Sequence, residues 1–155
     1  MQKKFVWNNV TRLLFLLVLV NLVGYVASLY MTPDTLNWYH ALPNSPLTPP
    51  DWVFGAVWSV LFFMMALSYF LVWGRASPRW FAIQLGANML WSFCFFYLRS
   101  PVLAFICILF LIFALLKCIK SFWGFSNVSS WLLVPTLFWC FFALYLNGYI
   151  VYGRY

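Results

Sequence analysis

Catalysis needs side chains that exchange protons, attack or hold a metal, and this chain offers very few. Asp34 and Asp51 are its only carboxylates and His40 its only imidazole, and all three lie between residues 32 and 51. A paired-carboxylate hydrolase, a metal site and a Ser-His-Asp triad each need several such groups at depth. Neither a metal nor a cofactor is therefore expected. Cys94, Cys107, Cys118 and Cys140 form no Cys-x-x-Cys pair and read as small apolar residues, not as ligands or disulfides. The apolar runs hold no Asp, Glu, Lys or Arg at depth, which weighs against an ion-coupled pump with its buried titratable relay.

What remains is aromatic. The chain has ten tryptophans. Trp7, Trp73, Trp80, Trp123 and Trp131 fall at the ends of apolar runs, where an interfacial belt accounts for them. Trp58, Trp91 and Trp139 lie deeper, and Trp52 stands where a proline-rich stretch meets the next run. Gln84, Asn88, Trp91 and Phe95 follow i, i+4, i+7, i+11, which is one helical face. Pro135, Trp139, Phe142 or Ala143, and Leu146 or Asn147 make a second such face. Amides beside indoles suit an aromatic cavity with a few orienting hydrogen bonds, the form of a small-molecule site. The alternative is plain helix packing, with Asn and Gln bonding between helices.

The elements that carry these faces follow from composition. Sixty-six per cent of the 155 residues are hydrophobic, and the few charges sit between apolar runs. A helix rises about 1.5 Å per residue, so about 20 apolar residues cross a hydrocarbon core of about 30 Å. Runs at 13–31, 52–73, 80–98, 101–119 and 130–152 meet or approach that length, the fourth by letting Lys117 snorkel to the interface. The expected fold is all-α: a polytopic membrane bundle of five transmembrane helices, forming one domain over residues 1–155. The net charge of +7 sits at span ends and reads as topology, not as a nucleic-acid surface. Lys3, Lys4, Arg12, Arg75, Arg79, Lys117 and Lys120 share one side, against Arg99 and Arg154 on the other. The positive-inside rule then puts the N-terminus in the cytoplasm. A cleaved signal peptide is the alternative for the first run. Its length, and Asn21, Gly24 and Ser28 at i, i+3, i+7, favour a retained span.

Residues 32–51 carry Pro33, Pro43, Pro46, Pro49 and Pro50, which stiffen the loop, and Trp38 and Tyr39, which give it something to dock. It is either a lid over one mouth of the bundle or an ordered interfacial connector. Asp51 is placed as an N-cap or first-turn residue, and Pro78 and Pro101 begin the third and fourth spans. Pro135 should kink the fifth, with Ser129 or Ser130 among the groups able to satisfy the freed backbone. Ala82 and Gly86 form a small-xxx-small notch facing away from the amide-indole face, a candidate homodimer contact. Leu146, Tyr149 and Arg154 fit the loose cholesterol-contact pattern, which is frequent by chance.

Several runs resemble one family. Trp38-Tyr39 with Leu42, Pro49-Pro50-Asp51-Trp52-Val53-Phe54-Gly55-Ala56-Val57-Trp58, Gln84 through Ser92, Phe95-Phe96, and Trp131 through Pro135 to Trp139, Ala143 and Leu146-Asn147 are similar to the TspO/translocator protein family. That family comprises tryptophan-rich sensory proteins and peripheral-type benzodiazepine receptors. The resemblance spans about 38–147 and implies five transmembrane helices, a homodimer, and a cavity under the first loop for porphyrins such as protoporphyrin IX. It implies isoquinoline carboxamide ligands too and, in animals, cholesterol. Ligand-contacting positions would be Trp38, Tyr39, Trp52, Asn88, Trp91, Trp139 and Ala143, with Trp52 and Trp139 the candidates for light-dependent porphyrin breakdown through a tryptophan radical. It implies a bacterial cell membrane or a mitochondrial outer membrane. This chain departs from the usual pattern at Ala56, Phe93 and Cys107, at Asn44 for a lysine, at Gly148 and Thr136 for tyrosines, and at Phe141, expected to narrow the cavity. The leading expectation is a tetrapyrrole sensor or transporter. A porphyrin-degrading enzyme, or a lipid- or sterol-binding protein without chemistry, are the alternatives.

Overall fold

Uncharged apolar runs leave the backbone no partner but itself, so helices result wherever a cap can start one. The computed structural model describes residues 8–153; Lys3, Lys4 and Trp7, used above for topology and the aromatic belt, and Arg154 of the cholesterol pattern lie outside the described residues. Helix α1 (Asn9–Ser28) opens on Asn8, whose side chain accepts from the Thr11 amide at 2.8 Å. A short α2 (Pro33–His40) is followed by α3 (Asp51–Leu71), α4 (Arg79–Ser92), α5 (Pro101–Trp123) and α6 (Asn127–Tyr152). Asp51 is the first residue of α3, Pro78 the N-cap of α4 and Pro101 the first residue of α5.

Among the described residues four helices, α1, α3, α5 and α6, are long and apolar enough to cross a membrane. Helix α4 has 14 residues and runs unbroken into a five-residue π turn, Phe93–Tyr97. The turn ends where Leu98 bonds back to the Phe93 carbonyl at 3.0 Å and Arg99 adopts a positive φ of 48°.

The helices close a ring in the order α1, α3, α6, α5, α4 and back to α1, each packed on two neighbours. Neighbours run antiparallel, except α4 and α1, which run parallel where the ring closes. Phe15 meets Trp73 while Gly24 lies under Phe62, and Trp80 meets Phe113 while Cys94 meets Cys107. Polar groups tie the ring at depth. The Ser68 hydroxyl donates to the Ser129 carbonyl at 2.7 Å and Ser129 returns the bond to Ser68 at 2.6 Å, joining α3 to α6. Asn147 joins α6 to α5 through the Pro101 carbonyl at 2.9 Å. Ser130 donates to the Ile119 carbonyl. Neither serine therefore serves the backbone group freed by Pro135, as the sequence suggested: each finds a carbonyl on a neighbouring helix.

The two halves of the ring differ. Away from α2 the interior is solid. Tyr69 stacks on Phe81 with centroids 4.6 Å apart and on Phe122 at 5.9 Å, over fully buried Met65, Ala66 and Leu133. Toward α2 the interior is hollow.

Candidate functional site

The hollow is a cavity of about 300 Å³. Helix α6 contributes Ala143, Leu146, Asn147 and Ile150, and α4 contributes Asn88, Trp91 and Ser92. The π turn adds Phe95 and Phe96, and α2 closes the top with Leu36 and Tyr39. Aromatic walls with few polar groups are what a mostly apolar ligand requires.

Small residues make the room. A Cβ on Gly24 would stand 2.4 Å from the Phe62 ring, so only glycine lets that ring cross beneath α1 as the floor. Trp58 stacks on Phe62 with centroids 5.5 Å apart. Gly55 faces open space, and a Cβ there would meet nothing within 4 Å.

The polar groups at the wall are only partly satisfied. Asn88 Nδ2, Trp91 Nε1 and the Oδ1 of Asn147 are buried without a protein partner, while the Nδ2 of Asn147 is used by Pro101. Two donors and an acceptor left orphaned in an apolar setting cost roughly 1–3 kcal/mol each unless a guest partners them.

The lid is α2 with the loop behind it. Tyr39 packs edge-on against Phe95 and Phe96 at 5.9 and 6.4 Å, and Trp38 against Phe95 at 5.7 Å. Asp34 pairs with Arg99, and His40 Nε2 lies 2.9 Å from Asp51 Oδ2, so both carboxylates of the chain hold the lid. Ser45 bonds the Tyr145 hydroxyl at 3.0 Å. Burial, and then the Asp51 charge, push the Tyr39 phenol up from 10.0 to about 12.

Of the residues singled out from sequence, Tyr39, Asn88, Trp91 and Ala143 come together at the wall. Trp38, Trp52 and Trp139 do not border it. Trp38 stands behind Phe95 as part of the lid's anchor. Trp52 is 73% exposed at the first turn of α3, and Trp139 turns toward Phe54 and Phe142 beside α3. The wall of α6 is set by Ala143 and Asn147, one turn apart; Trp139, one turn before Ala143 on the same stripe, packs behind the wall residue Phe54. Phe141 points outward and narrows nothing. Ala82 and Gly86 lie on the exposed face of α4, opposite buried Gln84 and Asn88. The α1 wall, with Asn21, Gly24, Tyr25 and Ser28, was missed as a site, although three of these were legible as a polar stripe in an apolar run.

Known proteins are similar to this chain in sequence. The model of the TspO/MBR family matches residues 15–152. A tryptophan-rich protein TspO from Archaeoglobus fulgidus is 31% identical over 146 residues, covering 90% of this chain and 94% of its own length. Another from Chlorobaculum tepidum is 37% identical over 134 residues, covering 81% and 84%. A human translocator protein is 29% identical over 132 residues, covering 79% and 78%.

Proposed function

The chain belongs to the TspO/MBR family of membrane proteins, and from that premise we propose that its cavity binds a porphyrin of the protoporphyrin IX type, as a sensor or transporter. The observation that carries the reading is the pairing of aromatic walls with unpartnered polar atoms on Asn88, Trp91 and Asn147. A tetrapyrrole presents ring N–H donors and flat apolar faces, and its propionates accept hydrogen bonds. Stacked on Trp91, with Trp58 near the floor, it gains about 0.5–1.5 kcal/mol per ring contact beyond burial. At about 300 Å³ the cavity lies at the small end of the usual range of about 300–1,000 Å³ for ligand pockets, so part of a four-pyrrole macrocycle extends out of it.

The finer architecture belongs to the same proposal. The α4 helix with its π turn forms a fifth span, and Arg12, Arg75, Arg79, Lys117 and Lys120 hold the end away from the lid in the cytoplasm. A homodimer forms through Ala82 and Gly86.

Titrating tryptophan fluorescence with protoporphyrin IX, in the dark and under light, tests the reading. Saturable quenching is expected, weakened about tenfold, or 1.4 kcal/mol, by Asn88→Ala and by Trp91→Leu. Equal affinity in both variants and the parent would remove the site.

A further inference from the structure

We propose that the cavity is loaded sideways from the bilayer, through a slot between the lid-end halves of α1 and α3, and not through the lid. The proposal rests on the reading of the cavity as a ligand site and adds how the ligand reaches it, and hence its class: a molecule already dissolved in the membrane.

The asymmetry of exposure carries the argument. Cavity residues on α2, α4, the π turn and α6 are buried or half-buried. The exposed ones are Asn21, Tyr25 and Ser28 on α1 and Asp51, Gly55 and Ser59 on α3. Each trio keeps helical spacing, so each is one stripe, and the two stripes flank one opening. From Ser28 to Asn21 and from Asp51 to Ser59 the helices descend about 10–12 Å at 1.5 Å per residue. The opening therefore reaches from the lid end well into hydrocarbon. Its inner floor is the Phe62 ring, which crosses under α1 at Gly24.

The chemistry of the lips fits lipid. A polar side chain facing hydrocarbon is costly unless satisfied. Here Asn21, Ser28 and Ser59 are satisfied by their own helices, and Asp51 by His40. Asn21 donates to the Leu17 carbonyl at 2.8 Å, Ser28 to Tyr25 at 2.7 Å and Ser59 to Gly55 at 2.8 Å. The amide and hydroxyl donors of these three residues therefore demand no partner from lipid or from a passing guest. With a glycine in the α3 stripe, the slot suits a flat edge. The lid, by contrast, is tied by two ion pairs, the Ser45–Tyr145 bond and aromatic docking.

The test uses the full chain in vesicles, with the four native cysteines replaced by alanine and one thiol returned to the wall by Ala143→Cys. A membrane-dissolved alkyl maleimide should label that thiol at least about tenfold faster than a sulfonated, water-confined one, and Ser59→Trp should slow the alkyl reagent by a similar factor. Val60→Trp, on the exposed side of α3 beyond the cavity, should leave labelling unchanged and controls for damage to the bundle. Equal rates for the two reagents, or no effect of Ser59→Trp, overturn the slot. Protoporphyrin titration of the same samples separates the two claims. Labelling through the slot without porphyrin binding sinks the assigned ligand and leaves the route standing.

Discussion

Gly24 shows how much one hydrogen can decide. A methyl there would press 2.4 Å from the Phe62 ring, which is itself buried and cannot step aside freely. Gly24→Ala should therefore cost about 1–3 kcal/mol, as overpacking usually does, and shift the cavity floor. A lowered thermal midpoint together with weakened porphyrin quenching is expected; a variant as stable and as tight as the parent would show that α1 and α3 part easily at this point. The orphaned atoms of Asn88, Trp91 and Asn147 make the complementary point. Removing an unsatisfied group can leave the empty protein no less stable while weakening ligand binding, a split that a purely structural residue does not produce.

Among the elements, α2 was not legible as a helix, because five prolines argue for irregular chain. Its start signals were present all the same: Thr32 caps the Thr35 amide, Pro33 occupies the first turn and Asp34 faces the helix dipole. Its anchors are unequal. The Asp34–Arg99 and His40–Asp51 pairs are largely exposed and contribute at most about 1 kcal/mol each, so docking of Tyr39 and Trp38 on Phe95 and Phe96 holds the lid. Tyr39 makes the lid alkali-sensitive. Its folded phenol is raised to about 12 from 10.0, so its stabilising share is whole below pH 10 and is lost as pH climbs through 12. Tyrosinate absorbance of the parent minus that of Tyr39→Phe should titrate near 12, with lid release in the same range; ionisation near 10 would place Tyr39 in water.

On the scale of the whole molecule, the ring of helices is hollow at one end and plugged at the other by Tyr69, Phe81 and Phe122. On the proposed route a guest exchanges with the lid-end leaflet and meets the aromatic plug beyond. In sealed vesicles the protein alone should take up porphyrin from the leaflet at its lid end and release it there. Transfer to the opposite leaflet no faster than in protein-free vesicles would favour the sensor over the transporter. Rapid transfer would mean that the plug repacks, and Phe122→Ala should then accelerate it.

Composition and period alone determined that this is a helical membrane protein, where its long helices run, and that Asn88 and Trp91 share a face, because hydrophobic length and 3.6-residue spacing are local properties. Which faces meet is not local. Trp52 and Trp139 belong to the same aromatic vocabulary as Trp91, yet Trp52 lies exposed at the first turn of α3 and Trp139 packs on Phe54 and Phe142, outside the cavity lining. Only the packed ring decided that Gly24 admits Phe62, that Tyr69, Phe81 and Phe122 fill the far half, and that cavity-lining residues of α1 and α3 stay exposed, since a void exists only between elements and no single helix carries its outline.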